Sequence, residues 1–389
     1  MKPTLIILFF LVQIQLSFSQ TSKLVNDINS FNFKIYNEID KKENNIVYSG
    51  FSISNALSVV YAGSRGKTAT EFETVFNNEI KQDIHKFYKE LNQNLLLNRE
   101  VDILTANALW LQNSYKYEKS YQQIIENNYS AKINKANFAN QKGRDKALEN
   151  INLWVKEKTK DKIINFIKPN MLSEATTLII INAIYFNSLW DTPFLKEKTK
   201  SNQFYTINGD TIETSFLNNE LNTNYFEDEK SKVIEIQYKN QKASIILILP
   251  KDNYSDFLDK FDINYYKFSL NNLKKDKVTV TIPKFKLEAQ YDLTDILKKL
   301  GLELAFKSNA DFSGITGNKD LHISNIIHKS VIELSEEGTE ASSSTAILTT
   351  RSTSVPSIPK SFVADHPFIF LIKDNTSNLI LFMGVMIKP

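Results

Sequence analysis

Residues Ile326 to Pro359 read IIHKSVIELSEEGTEASSSTAILTTRSTSVPSIP, and the reading of this stretch decides the fold. In its first part His328, Ser330, Ile332 and Leu334 alternate with Lys329, Val331 and Glu333. That period of two is the pattern of a β-strand, and the Val and Ile content agrees. Two acids follow, Glu336 and Glu337, then Gly338, which lacks a Cβ and can act as a hinge. The run Thr339-Glu340-Ala341-Ser342-Ser343-Ser344-Thr345-Ala346 is made mostly of small side chains. Ile347 to Pro359 has no aromatic residue, one arginine and two prolines. Such Ser/Thr-rich composition by itself describes an ordinary surface loop. A second alternation argues for more. Thr339, Ala341, Ser343, Thr345 and Ile347 would face one way in an extended chain, and all are small or apolar. A segment suited both to solvent and to burial between strands predicts a two-state element.

Outward from this stretch, the N-terminus MKPTLIILFFLVQIQLSFSQ has one lysine and an apolar run from Leu5 to Val12, with Ser17 and Ser19 before Gln20. This is the pattern of a cleaved secretory signal over residues 1–19. Gln13 and Gln15 interrupt the run and leave it too short for a membrane anchor, and no later segment suits one. The mature part, 20–389, carries no internal repeat, linker or low-complexity tract. Only 10 Gly and 9 Pro occur among 389 residues, which favours one large element-rich domain. Cysteine is absent, so the chain has neither disulfides nor thiol nucleophiles; a core of this size tolerates that. With 47 basic and 44 acidic residues, the net charge of +3 implies no nucleic-acid or membrane field.

In chain order, Thr21 to Ile39 reads as an amphipathic helix, and Asn45 to Ile53 as a short strand entering a helix over Ser54 to Ala62. Gly63-Ser64-Arg65-Gly66-Lys67-Thr68 ends that helix, with Thr68 capping the next, and lacks the spacing of a phosphate loop. Val101 to Leu111 is a strand, Leu148 to Phe166 an amphipathic helix, and Thr177 to Trp190 a continuous apolar strand buried on both faces. Two strands lie between Val233 and Pro250. Val278 to Phe285 alternates and leads through Leu287-Glu288 into a helix at Leu293 to Leu300, closed by Gly301. Phe362 to Phe370 and Leu381 to Pro389 form a final strand pair.

Several of these motifs resemble the serpin family. The hinge pattern is Glu336-Glu337-Gly338-Thr339-Glu340-Ala341, followed by the small residues Ser342, Ser343 and Ser344. Upstream, Asn45, Ser49, Ser52, Ile53, Ala56, Leu57, Gly63, Gly66 and Thr68 fit a second family pattern, with Gly50 in place of its proline and Ser64 in place of its alanine. The Gly50 departure is expected to loosen a backbone the family stiffens. Asn182 to Trp190 with Phe194, the Pro283-Lys284-Phe285 segment, and the pair Phe362 to Phe370 and Leu381 to Pro389 complete the likeness, which covers nearly all of 20–389. It implies an α+β single domain with three β-sheets, about eight to nine helices and an exposed reactive loop over 336–360.

The resemblance also implies site roles. Ser49, Ser52, Asn182 and His328 would form a polar shutter under the centre of the main sheet. Trp190, Lys284 and Glu336 would form the breach where the loop strand starts to enter. Spacing from Glu336 most often places the acyl-side residue at Ser352. One position earlier stands Arg351, the only basic side chain between Lys329 and Lys360. A trypsin-like pocket selects such a residue by a buried charge pair. Arg351–Ser352 is therefore the expected reactive bond, with Thr350, Ser352 and Thr353 as alternatives that suit elastase-like enzymes.

An enzyme is disfavoured. The chain has 4 His, no Gly-x-Ser-x-Gly elbow and no His-Glu-x-x-His. His322 and His328, six apart on what reads as strand, would share a face, and two histidines are not a metal site. No metal or cofactor is expected. The expected activity is that of a secreted, monomeric, suicide-substrate inhibitor forming a 1:1 covalent complex with a serine (or cysteine) protease. A non-inhibitory carrier or chaperone of the same fold is the alternative. For a heparin-like polyanion, Lys81, His85, Lys86 and Lys89 come closest to a basic helix face. Glu79, Asp83 and Glu90 interleave them, which gives a mixed solvated face instead. Glycosylation sequons stand at Asn128, Asn253 and Asn375.

Overall fold

The computed structural model describes residues 3–77, 84–96, 102–339 and 359–389, with side chains from Thr21 onward, Leu96 and Asp102 excepted. Its strands, in chain order, begin with β1 (Ile46–Tyr48), β2 (Asp102–Gln112), β3 (Lys132–Ala136), β4 (Leu178–Leu189) and β5 (Lys200–Tyr205). The middle set is β6 (Thr211–Glu227), β7 (Ser231–Gln237), β8 (Ala243–Pro250), β9 (Lys274–Pro283) and β10 (Phe285–Asp292). The last are β11 (Asn325–Leu334), β12 (Gly338–Thr339), β13 (Lys360–Val363), β14 (Phe368–Asp374) and β15 (Ile380–Met386).

Strand β4 explains the architecture. Every residue from Leu178 to Phe186 is buried, because the strand lies in the middle of a sheet covered on both faces. Its side chains alternate between two cores. Leu178, Ile180, Ile184 and Phe186 enter the larger one, whereas Ile179, Ile181, Ala183 and Tyr185 enter a smaller one under the helix Gln141–Lys158. Strand β11 is divided in the same way, with Ile326, Ile332 and Leu334 on one side and Ile327 and Val331 on the other. The sheet order is β10-β11-β4-β2-β3, with β12 added to β4.

The remaining strands form one network, β1-β15-β14-β8-β7-β6-β9-β13, with β5 on β6. The long β6 carries three partners along its length. β5 pairs with Thr211 to Phe216, β9 with Phe216 to Tyr225, and β7 with Asn224 to Glu227. The described strands thus form one 9-stranded and one 6-stranded hydrogen-bonded sheet. Ten α-helices are described, eight of them of seven residues or more.

Local readings differ in instructive places. The first helix runs Pro3–Glu38, and no helix among the described residues is long and apolar enough to cross a membrane. The second helix begins at Gly50, not Ser54, because Ser49 caps it by accepting from the Ser52 N–H. Thr68 caps nothing; it lies in the first turn of the helix Gly66–Phe76, and its hydroxyl accepts from Asp311 N at 2.9 Å. The helix expected over Leu148 to Phe166 instead spans Gln141–Lys158, started by the Asn140 cap on Gly143 N. Beyond it Lys160, Asp161 and Asn165 adopt positive φ, so Ile163 and Phe166 are buried anchors of an irregular segment. His322 precedes β11 and does not share a strand face with His328.

Gly50 does not loosen its surroundings. Its N–H donates to Asn32 Oδ1 at 3.0 Å, and a Cβ added there would meet the same atom at 2.2 Å. The Asn32 side chain occupies the space that a proline ring would fill, and it uses a donor that proline lacks.

Candidate functional site

Two strands of the main sheet set the geometry. β4 and β11 run parallel and pair from Asn325–Ile179 to Val331–Tyr185. Past that point β11 continues to Leu334 on β10 alone, so the two strands part. The chain then turns at Ser335 to Gly338, closed by Ser335 N donating to Gly338 O at 2.8 Å. It doubles back as β12, whose Gly338 and Thr339 lie opposite Leu189 and Ser188, antiparallel to β4. Glycine is required at 338. A Cβ would meet Ser188 O at 2.2 Å and Leu189 Cα at 2.6 Å. Thr339 is fully buried.

The turn is held from below and from the side. Trp190 Nε1 donates to Ser335 O at 2.9 Å, Trp190 N to Glu337 O at 3.0 Å and Phe194 N to Glu336 O at 2.8 Å. Lys284 Nζ sits 3.0 Å from Glu336 Oε2, and the Thr199 hydroxyl donates to Glu336 Oε1 at 3.0 Å. Burial pushes the Glu336 carboxyl upward, but its own backbone N–H, Lys284 and Thr199 outweigh that and hold it below the ordinary carboxylate range. The structure thus brings Trp190, Lys284 and Glu336 together. Thr199 was not legible in the sequence, because a lone threonine in a Lys-rich turn carries no pattern. Glu337 points outward to Lys196 at 3.0 Å.

Ser49, Ser52, Asn182 and His328 also converge, beneath the paired part of β4 and β11. Ser49 N donates to His328 Nε2 at 3.1 Å, so the imidazole proton lies on Nδ1, which donates to Asn182 Oδ1. Asn182 Nδ2 donates to Ser52 Oγ at 2.7 Å and to Asn107 Oδ1. Asn107, on β2 opposite Asn182, is a member the sequence did not disclose, since its place depends on strand register. Each buried polar group thereby has a partner, and the His328–Asn182 bond ties β11 to β4.

Burial lowers the His328 pKa to about 3 from its ordinary value of 6.5. A proton on Nε2 would also set two N–H groups against each other at Ser49. The consequence has a definite sign. Above pH 6.5 the histidine is neutral in both folded and unfolded chains and contributes nothing pH-dependent. Between 6.5 and about 3 only the unfolded chain binds the proton, so stability falls by roughly 1.4 kcal/mol per pH unit. Glu336 adds a loss of the same sign below 4.5, its ordinary value. Denaturant midpoints from pH 7 to 4 should fall in the wild type and fall less steeply in His328→Gln. Equal slopes would refute the assignment of the loss to His328.

Other expected positions stand as follows. Glu340, Ala341, Ser342, Ser343 and Ser344 of the hinge, and Thr350, Arg351, Ser352 and Thr353 of the bait segment, lie outside the described residues. Of the basic helix face, Lys81 also lies outside, and His85 is turned inward. Its Nδ1 lies 2.6 Å from the Tyr129 hydroxyl, and burial lowers its pKa to about 4. It is therefore not a surface cation, and only Lys86 and Lys89 remain of the four among the described residues. Asn128 and Asn375 donate their side-chain amides to Ile124 O and Gln237 Oε1, whereas Asn253 is exposed.

Comparison with known proteins agrees with this arrangement. The sequence model of the family described as serpin (serine protease inhibitor) matches residues 26–389. An uncharacterised serpin-like protein of Thermococcus kodakarensis is 34% identical over 377 residues, 95% of this chain and 87% of that one. The leukocyte elastase inhibitor of Equus caballus is 35% identical over 369 residues, covering 92% and 96%. The crystal structure of Serpin48 from the insect Tenebrio molitor superposes with a TM-score of 0.85 at 33% identity, covering 94% and 98%. The chain belongs to the serpin family, whose members include protease inhibitors.

Proposed function

We propose that this serpin is a secreted suicide-substrate inhibitor of serine proteases, with trypsin-like enzymes as its preferred targets. The observation that carries the reading is the parting of β4 and β11 above Tyr185 and Val331, with two hinge residues already antiparallel to β4 in the opening. A new strand there would run antiparallel to both neighbours, replacing one slanted parallel ladder with two straighter antiparallel ones. In the proposed mechanism the protease serine Oγ attacks the Arg351 carbonyl carbon, and the Arg351–Ser352 bond breaks. The Ser352 nitrogen leaves as an amine carrying the proton from the serine. The freed loop, still esterified to the protease, inserts before water completes hydrolysis and drags the enzyme with it. Catalytic residues belong to the target; this chain supplies bait and spring. Its N-terminal segment supports secretion, and the partner would be bound as a 1:1 covalent complex by a monomer. The test is incubation of the mature chain with trypsin-like, elastase-like and cysteine proteases. Complexes should survive denaturing gels, and their absence throughout would favour a carrier.

Thr339→Arg offers a sharper prediction. It forces a guanidinium into the closed space beside the Tyr238 hydroxyl, at a cost of several kcal/mol if unpaired. Acylation should proceed while insertion slows, so the variant should be cleaved as a substrate. Full inhibitory stoichiometry from Thr339→Arg would contradict the insertion face.

A further inference from the structure

Tyr238, just beyond β7, is fully buried beneath the hinge. Its ring stacks on Trp190 at 4.6 Å with a 6° interplanar angle and meets Phe186 edge-on at 5.1 Å. Its hydroxyl lies 2.9 Å from Thr339 Oγ1, which is buried as well. No other hydrogen bond to that hydroxyl is formed among the described residues. The ring therefore belongs to an apolar stack, and the one polar atom at its tip is satisfied by the hinge itself.

We infer that Tyr238 is a positioning residue. Through the Thr339 hydroxyl it holds the hinge two residues inside the main sheet, so that loop insertion starts from a strand already seeded. The consequence for insertion rests on the inhibitory reading; the native-state contact does not. Withdrawal of Thr339 would leave the Tyr238 hydroxyl unpaired in a space walled by Trp190 and Phe186, a state that buried polar groups disfavour. The turn above is pinned separately by Lys284 and Thr199 on Glu336. The hinge is thus fixed at both ends of its reversal. Small size alone does not account for position 339 on this view: valine fits the space but cannot hold Tyr238.

The test is a double-mutant cycle with Tyr238→Phe and Thr339→Val, each of which keeps shape and removes one hydroxyl. Hydrogen exchange of the Gly338 and Thr339 amides is read in the intact mature protein. Each single variant should lose about three- to tenfold in protection there, as expected for one hydrogen bond. The double variant should lose no more than either single one, while amides of β14 and β15 stay unchanged. Wild-type protection in both single variants, or losses that multiply in the double, would overturn the proposal. These measurements involve no protease, so the two readings fail separately. Coupling without any covalent complex in the wild type would remove inhibition and keep the Tyr238 contact. Complex formation without coupling would do the reverse.

Discussion

Cutting the chain anywhere between Thr345 and Thr353 should raise the midpoint of thermal unfolding by ~10 °C or more, rather than lower it. The physical basis lies in register. Gly338 and Thr339 pair with Leu189 and Ser188, and continuing that antiparallel count sets Ala341 opposite Phe186 and Ser343 opposite Ile184. Thr345 then falls opposite Asn182, and Ile347 opposite Ile180. Phe186, Ile184 and Ile180 all face the larger core, so the small and apolar members of the loop alternation would all be buried. Thr345 arrives where entry of a strand must part His328 from Asn182, and its hydroxyl can take over as partner to either. The uncut loop is tethered at β13 and cannot travel that far; Thr339 to Arg351 would need about 40 Å at ~3.3 Å per residue. At roughly 1–2 °C per kcal/mol for a chain of this length, a net gain approaching 10 kcal/mol corresponds to the stated rise. Differential scanning calorimetry before and after limited proteolysis measures it. An unchanged or lowered midpoint would mean that no strand enters, and a carrier function would then fit better.

What could be read from the sequence, and what could not, divides along one physical line. The period-two pattern of β11 and the unbroken apolar run of β4 are both local, so these strands were legible residue by residue. Sharp signals such as Gly338, whose missing Cβ lets it lie against the backbone of Ser188 and Leu189, were legible too. Contacts that depend on which strand lies beside which were not. Asn107 joins Asn182 only because β2 pairs with β4 in one register, and Tyr238 reaches Thr339 only because β7 ends beneath the breach. The helix expected to end at Phe166 failed for a different reason. Ile163 and Phe166 continue the apolar spacing, and nothing local reveals that Lys160 and Asp161 leave the helical region before them. Gly50 taught the converse lesson: a substitution that looks loosening by itself is compensated by Asn32, eighteen positions earlier.

Replacing Arg351 by alanine should abolish inhibition of trypsin-like proteases, by ~100-fold or more in association rate, while leaving the heat stabilisation on cleavage intact. The argument is one of charge. A trypsin-like specificity pocket carries an acid at its base, and a buried acid whose partner is removed costs about 3–5 kcal/mol, or roughly two to four decades in rate. Between Lys329 and Lys360 no other basic residue can take the place of Arg351. Loop spacing by itself argues for Ser352 as the acyl-side residue, which would direct the inhibitor to a small-pocket enzyme instead. Arg351 is favoured because the pocket's charge demand is set against a shift of only one residue in loop length, and because Ser352 is unobtrusive on the leaving side. The two possibilities are separated by the fragment that a covalent complex releases. Mass spectrometry should find a C-terminal peptide running from Ser352 to Pro389. A peptide beginning at Thr353 would move the acyl bond to Ser352, and one beginning at Arg351 would move it to Thr350. In either case Arg351→Ala should leave inhibition largely unaffected, and the preferred target becomes an elastase-like enzyme.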